Sequence, residues 1–116
     1  MSSAVVKPLN NYNEFRQAIE GYPNKKLVVL EFVGPNTYPW TCNHMKPFVE
    51  TLARDHGDKV NFYELDADTT FKNLAMQLKV EALPTFLLVK DKNVKKRIVG
   101  TQKEELKQSI DDVVNP

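Results

Sequence analysis

Apolar residues run almost unbroken through 26–33 (KLVVLEFV). A strand that is apolar on both faces must be covered on both, so this run predicts a central strand with helices above and below it. Around it the period changes. Phe15, Ala18 and Ile19 recur at helical spacing. Asn11 and Glu14 precede them as a capping box with Asn in place of Ser or Thr, and Gly21 and Pro23 end the helix. A second stripe, Met45, Phe48, Val49, Leu52 and Ala53, predicts a helix over 42–56 with Gly57 just past its end. Pro47 lies inside it and should kink it, because it lacks an amide donor and crowds the preceding turn. Residues 60–65 (VNFYEL) alternate as a strand. Asp68 is placed to cap a third helix carrying Phe71, Leu74, Ala75 and Leu78. Residues 85–89 and 94–99 read as strands joined by turn chemistry at 91–93. A closing helix over 101–114 turns Leu106, Ile110, Val113 and Val114 inward. Residues 4–7 form a short first strand, and 34–40 a loop stiffened by Pro35 and Pro39.

The resulting order, β-α-β-α-β-α-β-β-α, predicts an α/β fold: one domain over residues 1–116, a mixed sheet, helices on both faces. A length of 116 residues suits one core. With 41% hydrophobic and 27% charged residues the composition is that of a soluble globular chain. The net charge of +1 argues against nucleic acid or an anionic membrane as partner. The basic run 92–97 (KNVKKR) reads as an edge strand blunted by lysines. The N-terminal MSSAVVKPL lacks the apolar core of a signal peptide, and no stretch reaches the roughly 18 apolar residues of a membrane span. A lone cysteine, Cys42, forbids a disulfide within the chain and fits a reducing compartment, so a cytoplasmic monomer is expected.

Several runs, in order, resemble the thioredoxin family. LVVLEFV is similar to LVVVDFWA, CNHMKPF to CKMIAPF with its kinking proline, and FYELDAD to FLKVDVD. ALPTFLLVKD resembles the run around the family's cis-proline. KRIVGTQKEELKQSI resembles its closing hairpin, glycine and helix, most like cytosolic plant h-type and animal members. The resemblance spans residues 4–114 and implies a thioredoxin fold. The departures from the family pattern bear most on function. Where the family has WCGPC, residues 38–42 read YPWTC, so Pro39 stands in for the attacking cysteine. An alternative register sets Trp40 on the family's tryptophan and Thr41 at the nucleophile. Neither leaves a dithiol, and thiol–disulfide exchange within the chain needs two sulfurs. Glu31 replaces the family's buried aspartate, Val33 replaces a tryptophan, and two extra residues lie between Glu31 and Cys42.

The remaining chemistry centres on Cys42 and Glu31. Cys42 at a helix N-terminus gains thiolate character from the macrodipole, or else is a small buried hydrophobe. Glu31 in an apolar strand should have a raised pKa, and Glu64 on the neighbouring strand can share a proton with it. Cys42, His44 and His56 fall short of a metal set, and no cofactor is implied. The resemblance further implies a cis Leu83–Pro84 bond and a peptide groove. Tyr38, Pro39, Trp40, Thr41, Leu83, Pro84, Thr85 and Gly100 are its candidate residues. Three functions are compatible with these residues. One is a peptide- or protein-binding module without reductase turnover. Another is a monothiol protein whose Cys42 forms mixed disulfides with glutathione or a partner. The third is a chain that completes exchange with another chain's cysteine, giving a Cys42-linked dimer on oxidation.

Overall fold

The computed structural model describes residues 6–20 and 26–116. Five strands, β1 (Val6–Pro8), β2 (Leu27–Val33), β3 (Val60–Asp66), β4 (Thr85–Lys90) and β5 (Asn93–Val99), alternate with four helices, α1 (Tyr12–Glu20), α2 (Pro39–Asp55), α3 (Lys72–Gln77) and α4 (Lys103–Val114). The expected order is therefore observed. Residues 4 and 5 of the expected first strand, and Gly21 and Pro23 after α1, lie outside the described residues. The sheet order is β1-β3-β2-β4-β5. β1 and β2 run parallel to β3, while β4 pairs antiparallel with both β2 and β5.

Strand β2 is buried at every position, as its two-faced apolar run requires. Its period of two divides those side chains. Leu27 and Val29 join Met45, Val49, Leu52, Leu106 and Ile110 in the core beneath α2 and α4. Val28, Leu30 and Phe32 join Leu9, Ala18, Phe71 and Leu74 in the core beneath α1 and α3. Phe32, Phe71 and Phe86 are fully buried, each worth about 2–3 kcal/mol of transfer free energy. The same alternation puts Glu31, two residues after Val29, on the face covered by α2. That parity is why a carboxylate sits inside.

Local chemistry sets the boundaries. At α1 the Glu14 amide donates to Asn11 Oδ1 at 2.9 Å, and Glu14 Oε1 accepts from the Asn10 amide at 2.8 Å. The capping box thus closes one residue upstream of the usual reciprocal bond. Helix α2 starts at Pro39, three residues before the expected start at Cys42. Proline suits the first helical position, where its missing amide would lack an intrahelical partner anyway. Pro39 and Trp40, expected in the loop, are accordingly helical, and the helix runs on through Pro47. Asp68 does not cap α3, whose N-cap position is Phe71 with no side-chain cap. The β4–β5 turn holds Asp91 and Lys92 at φ 53° and 67°, as a two-residue hairpin loop demands. Among the described residues no helix is long and apolar enough to cross a membrane.

Candidate functional site

The site is assembled where β2 ends and α2 begins. Gly34 comes directly after the strand and is buried. A Cβ there would lie 2.5 Å from Thr37 Oγ1 and 2.6 Å from Leu83 Cδ1, so any larger residue would have to displace those side chains. The Tyr38 amide donates back to the Gly34 carbonyl at 2.7 Å and closes the turn. Asp68 holds the turn from outside. Its carboxylate accepts from the Asn36 amide (2.7 Å), the Thr37 amide (3.1 Å) and the Thr37 hydroxyl (2.8 Å). The Thr37 hydroxyl, then the two amides, keep the Asp68 carboxyl below its ordinary pKa. Asn36 and Thr37 are thus held in place. Asp68 serves this turn in place of the expected helix cap, and nothing in the local pattern around it points to residues 36 and 37.

The first turn of α2 then distributes its side chains in three directions. Trp40 points to solvent and is 81% exposed, and Tyr38 before it is 49% exposed. Thr41 turns sideways, its hydroxyl donating to the Leu83 carbonyl at 3.1 Å and lying 3.3 Å from the Tyr38 carbonyl. Cys42 turns inward. The Leu83–Pro84 peptide is cis, and the Pro84 carbonyl accepts from the Gly100 amide at 2.8 Å. Gly100 has φ +83°, and no atom lies within 4 Å of where its Cβ would be, so the surface there is open. The structure therefore brings Tyr38, the first turn of α2 (Pro39, Trp40 and Thr41), Leu83 and Gly100 together on adjoining segments. Pro84 and Thr85 are buried beneath them, the Thr85 hydroxyl donating to the Ala82 carbonyl. Those two lie below the surface that the other six present.

Cys42 is 8% exposed, and its Sγ accepts a hydrogen bond from the Gly34 amide at 3.4 Å. Burial pushes the thiol above its ordinary pKa, and the nearby Glu31 and Glu64 carboxylates add to the effect. The Gly34 and Thr41 hydrogen bonds pull the other way without reversing it. Of the two expectations for this sulfur, the inward-facing small hydrophobe fits and the activated thiolate does not.

Glu31 is 4% exposed and stands in register with Glu64 on β3. Burial first, then the Glu64 charge, raise its pKa to about 8; Lys46 opposes them and Glu50 adds to them. Glu31 lines two cavities. One, of about 190 Å³, is walled by Val6, Pro8, Val49 and Glu50 together with Glu31, Lys46 and Glu64. The other, of about 170 Å³, shares those last three residues and reaches Val33, Pro35, Pro39 and Cys42. His44 is exposed while Cys42 is buried, so the two do not converge. Among the described residues no three His, Cys, Asp or Glu side chains are grouped to hold a metal ion.

Known proteins resemble this arrangement throughout its length. The thioredoxin family profile matches residues 5–112. Thioredoxin H-type 1 of Nicotiana tabacum is 34% identical over 102 residues, covering 88% of this chain and 76% of its own. Thioredoxin of Gallus gallus is 31% identical over 110 residues, covering 95% of this chain and all (100%) of its own. The solved thioredoxin NaTrxh of Nicotiana alata superposes with a TM-score of 0.82 at 28% identity, covering 95% of this chain and 93% of that one.

Proposed function

The chain belongs to the thioredoxin family and carries a single cysteine, and from that premise we propose that it binds an extended peptide or protein segment in the family's substrate groove without turning over disulfides. Trp40 carries this reading. An indole that is 81% exposed, next to a Tyr38 ring that is 49% exposed, stands on a helical turn fastened to the Leu83 loop. Aromatic side chains of this kind bury some 150–250 Å² each at low conformational cost, which makes them good anchors. The Asp68 bonds hold the neighbouring turn before any partner arrives, so little ordering entropy is left to lose on binding. Reductase turnover is removed by stoichiometry: one sulfur cannot both attack and be resolved. A reducing, cytoplasmic location suits a protein whose one thiol is kept free.

The monothiol reading loses ground to the burial of Cys42. A mixed disulfide with glutathione, or a Cys42-linked dimer, requires Sγ at the surface and a stabilised thiolate. The sulfur is 8% exposed and its pKa is raised.

The test is selection of extended peptides from a displayed random library on the immobilised protein, followed by amide-shift mapping. The expected result is saturable binding with shifts at Trp40, Leu83 and Gly100 and a blue shift of the emission of Trp40, the sole tryptophan. Shifts confined to another face, or no enrichment of any peptide, would contradict the reading.

A further inference from the structure

We propose that the recess bounded by Glu31, Lys46, Glu50 and Glu64 is a binding site for a slim organic cation, an ammonium or guanidinium head on an alkyl stem. The site adjoins the proposed groove at Pro39, which borders both. Its two cavities, about 190 and 170 Å³, meet at a common wall of Glu31, Lys46 and Glu64. One reaches the exposed Pro8, the other the exposed Pro35 and Pro39. Three carboxyl groups, Glu31, Glu50 and Glu64, border the recess beside one ammonium. Among the described residues no contact of 4.0 Å or less joins Lys46 to a carboxylate. Glu31 is 4% exposed, receives no hydrogen bond from a described residue, and lines both cavities. A buried carboxyl that lines a cavity in this way is free to accept from a donor that enters it. Val6, Val33 and Val49 supply the apolar wall that an alkyl stem needs.

The type of cation is set by the spacing. The carboxylates do not converge as a metal ion requires. An organic head, with several N–H donors on a larger perimeter, can reach oxygens that a bare ion cannot bridge. Binding also moves a proton. At neutral pH the Glu31 carboxyl is mostly protonated, its pKa standing at about 8. When the cation docks, the carboxyl O–H bond breaks, the proton goes to the buffer, and a charge-assisted N–H to carboxylate hydrogen bond replaces it. No electrons change hands. The charged or titratable groups around Glu31 are Lys46, Glu50 and Cys42 on α2 and Glu64 on β3. The facing positions on β1 (Val6, Pro8) and β4 (Phe86) carry none.

n-Butylammonium and methylguanidinium chlorides are titrated into the full chain by amide-shift mapping and by calorimetry at neutral pH in buffers of different ionisation enthalpy. Tetramethylammonium chloride at equal ionic strength is the control. The expected result is saturable shifts at Glu31, Val33, Cys42 and Glu64, with proton release approaching one per bound cation. Glu31→Gln should weaken binding about tenfold or more and abolish the proton release. Glu64→Gln should weaken it while keeping the release, and serves if the first variant folds poorly. Linear shifts equal to those of tetramethylammonium, or binding unchanged by Glu31→Gln, would overturn the proposal. Competition between butylammonium and a peptide bearing one arginine assigns the head to a partner's side chain; absence of competition assigns it to a free amine.

Discussion

The Thr41 hydroxyl donates to the Leu83 carbonyl across 3.1 Å and ties the first turn of α2 to the loop that leads into Pro84. This one bond joins the two segments on which the proposed groove depends. Thr41→Val keeps the shape and removes the donor. It should cost about 1 kcal/mol in urea denaturation, the usual net value of a neutral hydrogen bond. Amide shifts of Leu83 and Gly100 should move with it. A variant with unchanged stability and unchanged shifts would show that the bond does not hold the groove together.

The Asp68–Thr37 pair makes a different prediction. Asp68→Ala removes the acceptor shared by the Asn36 and Thr37 amides. Their hydrogen exchange should accelerate while exchange in β2 and β4 stays near that of the parent chain. The pH dependence has a definite sign. The folded-state pKa of Asp68 is lowered, so its contribution is present above the unfolded carboxylate value and is lost as pH falls through the folded one. Protection of the Asn36 and Thr37 amides, taken relative to their intrinsic exchange rates, should therefore fall at acid pH before the core opens.

Glu31 acts in the opposite sense. Its pKa is raised from 4.5 to about 8, so between those values the folded chain binds more protons than the unfolded one. Its contribution falls as pH rises from about 4.5 and levels off above about 8. At 1.36 kcal/mol per unit, about 3 kcal/mol separates pH 4.5 from pH 7. Denaturation measured across that window should give a negative slope in the parent and a flatter one in Glu31→Gln. Equal slopes would mean that Glu31 is ionised in the folded state at neutral pH.

Cys42 should behave as a core atom. Iodoacetamide should react with the folded chain far more slowly than with the urea-unfolded chain, and without an early plateau below the free-thiol pKa of about 8.5. Cys42→Ser should lower stability by about 1 kcal/mol or more, because a hydroxyl replaces a buried sulfur. Fast alkylation at neutral pH would reinstate the monothiol reading.

Much of this arrangement is legible from the residues alone, and the limits are physical. The apolar run announces a strand covered on both faces because it is short and rich in β-branched and aromatic residues, and all seven positions of β2 are buried. Asn11 and Glu14 announce a helix start because capping is local. Leu106 and Ile110 face inward as their spacing requires. The start of α2 lies three residues earlier than the apolar stripe places it, because Pro39 suits a stiff loop and a helix's first turn equally well. The role of Asp68 is hidden for a deeper reason. Its partners, Asn36 and Thr37, are more than thirty positions away, and their pairing exists only after β2 and β3 have aligned. The exposure of Trp40 is likewise unreadable, since a tryptophan at that point in the chain can cover the core or face solvent with the same neighbours.

The most direct measurement compares one library-selected extended peptide against three forms of the protein: parent, Trp40→Ala and Cys42→Ser. Binding through the aromatic groove predicts equal affinity for parent and Cys42→Ser, and a loss of about tenfold or more, typical of an anchor residue, for Trp40→Ala. Undiminished binding by Trp40→Ala, or binding that disappears with the Cys42 thiol, would contradict it.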